Sequence, residues 1–233
     1  MDNKVTHLGI IMDGNRRWAR KHMLASVLNG HEKGVDTFIN ACKWCQEAGI
    51  RYLTVYAFST ENWQRSQEEV SGLFKLMENF FINEVDTCIS RDIRMIIVGD
   101  KSRLDPEARE TVRRTEDMTA HCRSLTVQVA ISYGGRDEII RAAAAFAADV
   151  RDGRAAVASL DEELFAGYLD TAGIPDMDLV IRTGGNRRLS NFFPWQTTYA
   201  EIWFTDVLWP DFSQADMQEA LDYYEKVQIN NGK

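Results

Sequence analysis

A carboxylate, an amide and two guanidiniums follow directly on a short apolar run: Leu8-Gly9-Ile10-Ile11 leads into Met12-Asp13-Gly14-Asn15-Arg16-Arg17-Trp18. The run reads as a buried strand, and the polar residues as the strand end at which a helix begins. In an open parallel sheet, ligands bind outside the carboxyl ends of the strands. A helix start adds unpaired N–H groups and a positive dipole end, both suited to a phosphate. A lone carboxylate among such donors repels a phosphate unless a cation joins them, so Asp13 reads as a metal ligand beside an anionic ligand. The chemistry these residue types suit is that of a diphosphate.

Five further apolar runs, 52–58, 93–98, 125–131, 179–181 and 202–204, join the first, 8–12, as expected strands. Their near-continuous apolar character is that of strands covered on both faces. Between and after them, 35–48, 68–89, 106–120, 138–150 and 214–226 carry helical spacing. Such alternation predicts an α/β fold, a central, mostly parallel six-stranded sheet with helices on both faces. Ser59 and Glu61, Gly99-Asp100, Tyr133-Gly134-Gly135 and Arg182-Thr183-Gly184-Gly185 each follow an apolar run. In a parallel sheet they converge with Asp13 on one crevice. No repeat or Pro/Gly-rich linker interrupts the 233 residues, so one domain over 1–233 is expected.

With 45% apolar residues the chain has the composition of a globular protein, and its net charge of −8 argues against a general grip on nucleic acid or anionic membrane. No apolar run approaches the length of a membrane span, and Met1-Asp2-Asn3-Lys4 runs almost at once into the first strand. The expected location is cytoplasmic. Cys42-Lys43-Trp44-Cys45 has the spacing of a metal knuckle, yet it lies within a helical pattern and no second pair completes four ligands. Reduced, structural cysteines are expected.

Four segments in order resemble the cis-prenyltransferase family, whose best-known member is undecaprenyl diphosphate synthase. They are His7 to Trp18, Tyr56-Ala57-Phe58-Ser59-Thr60-Glu61-Asn62-Trp63, Ser132-Tyr133-Gly134-Gly135-Arg136, and the stretch from Asp178 to Phe212 with its Arg182-Thr183-Gly184-Gly185 and Tyr199-Ala200-Glu201. The resemblance implies that family's α/β fold with an apolar tunnel, a homodimer, and Mg2+-dependent condensation of an allylic diphosphate with isopentenyl diphosphate. It also implies residue roles. Asp13 becomes the Mg2+ ligand, with Glu201 completing the metal site. Gly14, Asn15, Arg16 and Arg17 cradle the allylic diphosphate, while Arg182, Arg188 and Ser190 take the second. Asn15, His31 and Ser59 match positions of substrate placement and proton removal. Trp18, Glu61 and Arg65 join the substrate-binding set, and Phe58 and Trp63 shield the reacting centre.

The same residue types follow from the chemistry. Breaking an allylic C–O bond leaves charge on pyrophosphate, which Arg and Mg2+ stabilise most in the transition state. The carbocation must be kept from water, which calls for an apolar cavity, and a proton must then leave toward a base or toward pyrophosphate. Plainer roles compete for several of these residues. Asp13 is also a favoured helix cap; Phe58 and Trp63 could be core; Glu201 could be a surface strand residue. Glu69 and Arg65 either hold the loop after Trp63 or are solvated. The stripe Val70, Leu73, Phe74, Met77, Phe80, Phe81, Val85 reads equally as a core face or as a cavity wall.

The chain departs from the family at both diphosphate sites. Arg16 stands where a Gly is usual, and Val27 where an Arg precedes the Gly30-His31 pair. Asn186-Arg187 replaces a Glu and its neighbour, Phe193-Pro194 replaces two Leu, and Gln228-Ile229-Asn230-Asn231-Gly232 replaces a closing Arg-Arg-Phe-Gly-Gly. Phe192-Phe193-Pro194 resembles the branch that makes lavandulyl-type diphosphates, in which dimethylallyl diphosphate is the attacking alkene. The expected substrates are therefore dimethylallyl, geranyl or isopentenyl diphosphate, and the expected product is short. Irregular head-to-middle coupling leads, with regular cis-elongation as the alternative and a non-catalytic partner subunit as a lesser one. A nucleotide-binding protein is ranked last, because GxxxxGK[ST] is absent and no GxGxxG follows the first strand.

Overall fold

The computed structural model describes residues 4–227, so the closing segment 228–232 lies outside the described residues. In chain order the elements are β1 (His7–Ile11), α1 (Asn15–Lys21), α2 (Leu28–Glu47), β2 (Tyr52–Ser59), α3 (Gln67–Ser90), β3 (Ile93–Val98), α4 (Pro106–Thr119), β4 (Leu125–Tyr133), α5 (Gly135–Arg151), α6 (Glu162–Ala166), β5 (Leu179–Arg182), β6 (Glu201–Phe204) and α7 (Gln214–Lys226). The six strands form one sheet in the order β3-β4-β2-β1-β5-β6, and every pairing is parallel.

Alternation along the strands explains why both faces are apolar. Leu8 and Ile10 of β1, Val127 and Val129 of β4, and Leu179 and Ile181 of β5 enter the larger core, against α2, α3, α4 and α7. Ile11, Ala130 and Val180 enter a smaller core on the other face, closed by Phe192 and Phe193. Period-2 side chains that are apolar on both sides leave no polar alternation to read. The helix starts follow local chemistry: Asp105 accepts from the Ala108 N–H ahead of Pro106, and Ser66 from the Glu69 N–H.

Helix α2 begins seven residues before the apolar periodicity does, because Gly30, His31 and Gly34 interrupt that pattern with residues needed for close approach. A Cβ on Gly30 would run into the Asn15 carbonyl, and one on Gly34 would lie 2.5 Å from Asn15 Oδ1. The two glycines thus let α1 lie directly on α2. Five-residue α6 has no counterpart in the expected elements, being too short to show a period. Among the described residues no helix is long and apolar enough to cross a membrane.

Strand β1 continues to β2 on one side of itself and receives β5 on the other, so the sheet's order reverses there. Asp13 and Arg182 sit at the carboxyl ends of those two adjacent strands, where such folds open a crevice.

Candidate active site

Asp13 lies just beyond β1 and is gripped by three donors. Arg17 Nη2 reaches Oδ1 at 3.0 Å; Arg182 Nη2 and Asn186 Nδ2 reach Oδ2 at 3.0 and 2.7 Å. Asp13 is not the helix cap: that position is Gly14, with φ 122°, and no side chain caps α1. Burial alone would raise the Asp13 pKa; the hydrogen bonds from Asn186 and Arg182 and the charge of Arg17 outweigh it and hold the carboxyl below its usual range. Asn186 arrives because Gly184 and Gly185, both at positive φ, turn the chain back over the strand end. Arg17 Nη1 ties that turn down through the Gly184 carbonyl at 2.5 Å.

Arg182 links the two expected diphosphate positions. Its Nη1 donates to Ser190 Oγ at 2.8 Å and to the Arg188 carbonyl, and Arg188 Nε also reaches Ser190 Oγ at 3.1 Å. Ser190, Asn191 and Phe193 hold left-handed backbones. Their loop is seated by the Gly135 N–H on the Asn191 carbonyl, and by Phe193 stacked on Tyr133 at 4.0 Å. The Phe193-Pro194 departure is thus a packing element on the smaller core, with Pro194 lying where a Cβ on Gly135 would be.

A cavity of about 680 Å³ opens beside Asp13, within the size range of small-molecule sites. Strand ends supply its polar residues: Asp13, Ser59, Glu61, Arg182, then Arg188 and Ser190. Mid-strand Val55 and Val129 and the facing helices α2 and α3 supply apolar ones, so the cavity joins a cationic mouth to a hydrocarbon wall. Helix α3 divides its apolar residues between the two readings left open by the sequence. Leu73, Met77, Phe80 and Phe81 line the cavity, whereas Phe74 packs on Phe58 and Trp63.

Asn15 and His31 meet at the mouth, with Asn15 Oδ1 and His31 Nε2 buried and without hydrogen-bond partners. Burial, followed by the charges of Arg65 and Arg16, lowers the His31 pKa to about 4, so its ring is neutral near pH 7. Glu69 is the counter-charge of this corner. Its buried carboxylate lies 3.1 Å from Arg65 Nη1, 3.5 Å from Arg16 Nε and 3.9 Å from His31 Nε2. Arg16 therefore turns to Glu69, half exposed and outside the cavity lining, while Arg65 lines the mouth. Val27 flanks the start of α2 and adds no charge.

Other expected residues lie elsewhere. Phe58 is fully buried in the larger core, and Trp63 donates to Ser132 Oγ at 3.1 Å with Arg103 over its ring. Neither lines the cavity, which corrects their shielding role. Register shifts on either side of Phe58 break the strand's alternation and turn it to the larger core. Trp18 bonds Asp211 at 2.6 Å and fastens α1 to the turn before α7. Ser59 lines the mouth at the head of the turn Thr60–Gln64, where its backbone N–H donates to Asn62 Oδ1 at 3.1 Å. Glu61 accepts from Asn191 at 3.3 Å, joining that turn to the Ser190 loop.

Glu201 requires the largest correction. It pairs with Leu179, the first residue of β5, and so stands at the amino edge of the sheet, with Asp13 at the carboxyl edge. Three residues of strand separate it from the level of Arg182, about 10 Å. Its carboxylate accepts from Tyr223 of α7 at 3.2 Å. A single chain does not bring Glu201 and Asp13 to one ion.

Mg2+ binds through one or two carboxylates, with water and phosphate oxygens completing its shell. Among the described residues no group of three or more His, Cys, Asp or Glu side chains is gathered to hold a metal. Asp13 alone, amid guanidinium and amide donors, fits an ion shared with a diphosphate and not one caged by protein.

The family described as putative undecaprenyl diphosphate synthase matches the chain over residues 11–232. An isoprenyl transferase of Clostridium perfringens is 40% identical over 224 residues, 96% of this chain and 88% of that protein. The (2E,6E)-farnesyl-diphosphate-specific ditrans,polycis-undecaprenyl-diphosphate synthase of Pseudomonas aeruginosa is 44% identical over 227 residues, 97% and 90% of the two chains. The crystal structure of lavandulyl diphosphate synthase from Lavandula x intermedia, in complex with dimethylallyl diphosphate, superposes with a TM-score of 0.96 at 34% identity, covering 100% of both chains.

Proposed function

Because the chain belongs to the cis-prenyltransferase family, we propose that it couples two isoprenyl diphosphates with Mg2+, releasing pyrophosphate and a short prenyl diphosphate. One observation carries the reading: Asp13, held by Arg17, Arg182 and Asn186, stands at the mouth of an apolar cavity.

Asp13 would hold the ion, which when bound neutralises charge on the departing pyrophosphate. Arg17 stands on Asp13, while Arg65, Arg182, Arg188 and Ser190 line the mouth. Each cation gains most as the allylic C–O bond breaks and charge collects on oxygen, which lowers the barrier. The walls from α2 and α3 exclude water from the carbocation. His31, neutral and with Nε2 unpartnered, can accept the proton lost when the new double bond forms. A homodimer is part of this reading, by the family likeness alone.

The coupling we favour is irregular, with dimethylallyl diphosphate as the attacking alkene. Asn186 supports it: an amide bonded to Asp13, the proposed ligand of the ion, replaces the family's usual carboxylate. The likeness over the full chain to a lavandulyl diphosphate synthase supports it too. Regular cis-elongation is the second reading, favoured by 44% identity to the Pseudomonas enzyme. Product analysis separates them. Purified protein with Mg2+ receives dimethylallyl diphosphate, alone or with geranyl diphosphate, and each set is repeated with isopentenyl diphosphate. A branched product without isopentenyl diphosphate supports irregular coupling; a linear cis product that requires it supports elongation. No product from any set would leave the partner-subunit reading.

A further inference from the structure

We propose that Asn191 is the positioning residue that aims Ser190 and Arg188 at the acceptor's diphosphate; this rests on the prenyl diphosphate reading of the same site. Ser190 and Asn191 are consecutive left-handed residues, at φ 51° and 66°. That backbone is costly for a residue with a Cβ and persists only where its surroundings enforce it, Asn tolerating it best. The enforcing contacts centre on Asn191. Its carbonyl accepts from the Gly135 N–H and its Oδ1 from the Arg136 N–H, both at 2.9 Å, in the first turn of α5. Its Nδ2 donates to Glu61 Oε1 at 3.3 Å. Gly134 makes room for the amide: a Cβ there would lie 2.8 Å from Asn191 Nδ2 and 2.6 Å from Thr60 Oγ1.

One side chain thus ties the loop bearing Arg188 and Ser190 both to α5 and to the turn Thr60–Gln64, which leads into Arg65; all three of these residues line the mouth. Ser190 Oγ, which accepts from Arg182 and Arg188, depends on that tie for its place. The segment that follows is held without it. Phe192 and Phe193 are fully buried, and Gln196 donates to Thr171 Oγ1 at 2.8 Å and to the Glu138 carboxylate at 3.2 Å. Truncating Asn191 therefore loosens Ser190 and Arg188 while the chain beyond them stays seated, so the loss falls on acceptor binding and not on the fold.

The test is steady-state kinetics with Mg2+ and saturating geranyl diphosphate as donor, the acceptor being dimethylallyl or isopentenyl diphosphate, whichever the native protein uses. Asn191→Gly keeps the left-handed backbone and loses only the side chain. Its acceptor KM is expected to rise about tenfold, with kcat and the donor KM within about threefold of native. Asn191→Asp still accepts from the Arg136 N–H but meets Glu61 with a like charge, and is expected to raise the acceptor KM at least as far. Adding Glu61→Gln puts a donor back across the same contact and is expected to recover about threefold or more of that loss. Urea unfolding checks the fold, and the Asn191→Asp pair carries the test if Asn191→Gly does not fold. An acceptor KM unmoved in a folded variant, a fall in kcat alone, or a double variant no better than Asn191→Asp overturns the positioning role. Failure of the folded native protein to turn over either pair overturns instead the prenyl diphosphate reading beneath it.

Discussion

Asn186 donates to Asp13, Nδ2 to Oδ2 at 2.7 Å, across 173 positions of sequence. That amide is a named cause of the depressed Asp13 pKa. Asn186→Asp would exchange a donor for a like charge, which raises the carboxyl's pKa. In the native protein Asp13 stays ionised below the usual carboxylate range, and the acid limb of activity falls with His31, near pH 4. In the variant the Asp13 carboxyl is expected to protonate at higher pH and to draw the limb upward. A pH profile of kcat/KM checks this; an unmoved limb counts against the Asp13–Asn186 coupling.

His31 should make stability pH-dependent. Its folded pKa, about 4, lies below the ordinary value of 6.5, so the unfolded chain binds its proton first as pH falls. The stability is complete above pH 6.5 and is lost progressively toward pH 4, by about 3 kcal/mol at most. Urea unfolding of the native protein and of His31→Gln between pH 7 and 4 measures it. The two curves are expected to converge on acidification, and parallel curves would contradict the buried, neutral ring.

Gly30→Ala is expected to cost about 1–3 kcal/mol, because the new methyl runs into the Asn15 carbonyl where α1 rests on α2. Turnover should fall as well, since Asn15 and His31 lose their mutual placement. Thermal unfolding and kcat together test it; an unaltered Tm would show that the helices are not in such close approach.

Glu69→Gln removes the counter-charge of Arg65 and Arg16. Arg16 is partly solvated, so the expected loss is about 2 kcal/mol, less than for a fully buried pair. Urea unfolding at low and high salt reads it, and the loss should be largest at low salt.

The sheet was legible because strands buried on both faces leave apolar runs, and all six runs became strands. Asp13, Arg182 and Ser190 were legible as motif residues. The rest depended on register and on chain reversal, which spacing does not carry. Glu201 looked like a partner of Asp13 until its pairing with Leu179 put it at the far edge of the sheet. Phe58 looked like a cavity residue because the irregularity beside it cannot be read from alternation. Glu69, weighed only as a loop holder, proved to be the charge shared by Arg16, Arg65 and His31, which three separate elements bring together. Asn186 stood out as a departure, but only the turn at Gly184-Gly185 aims it at Asp13.

The central claim is tested most directly by pyrophosphate release from dimethylallyl diphosphate, with and without isopentenyl diphosphate, in the native protein and in Asp13→Ala, with and without Mg2+. The native protein is expected to release pyrophosphate only with Mg2+, and Asp13→Ala to lose about a hundredfold to a thousandfold of that rate at an unchanged unfolding midpoint. An Asp13→Ala protein that turns over like the native one would contradict the account.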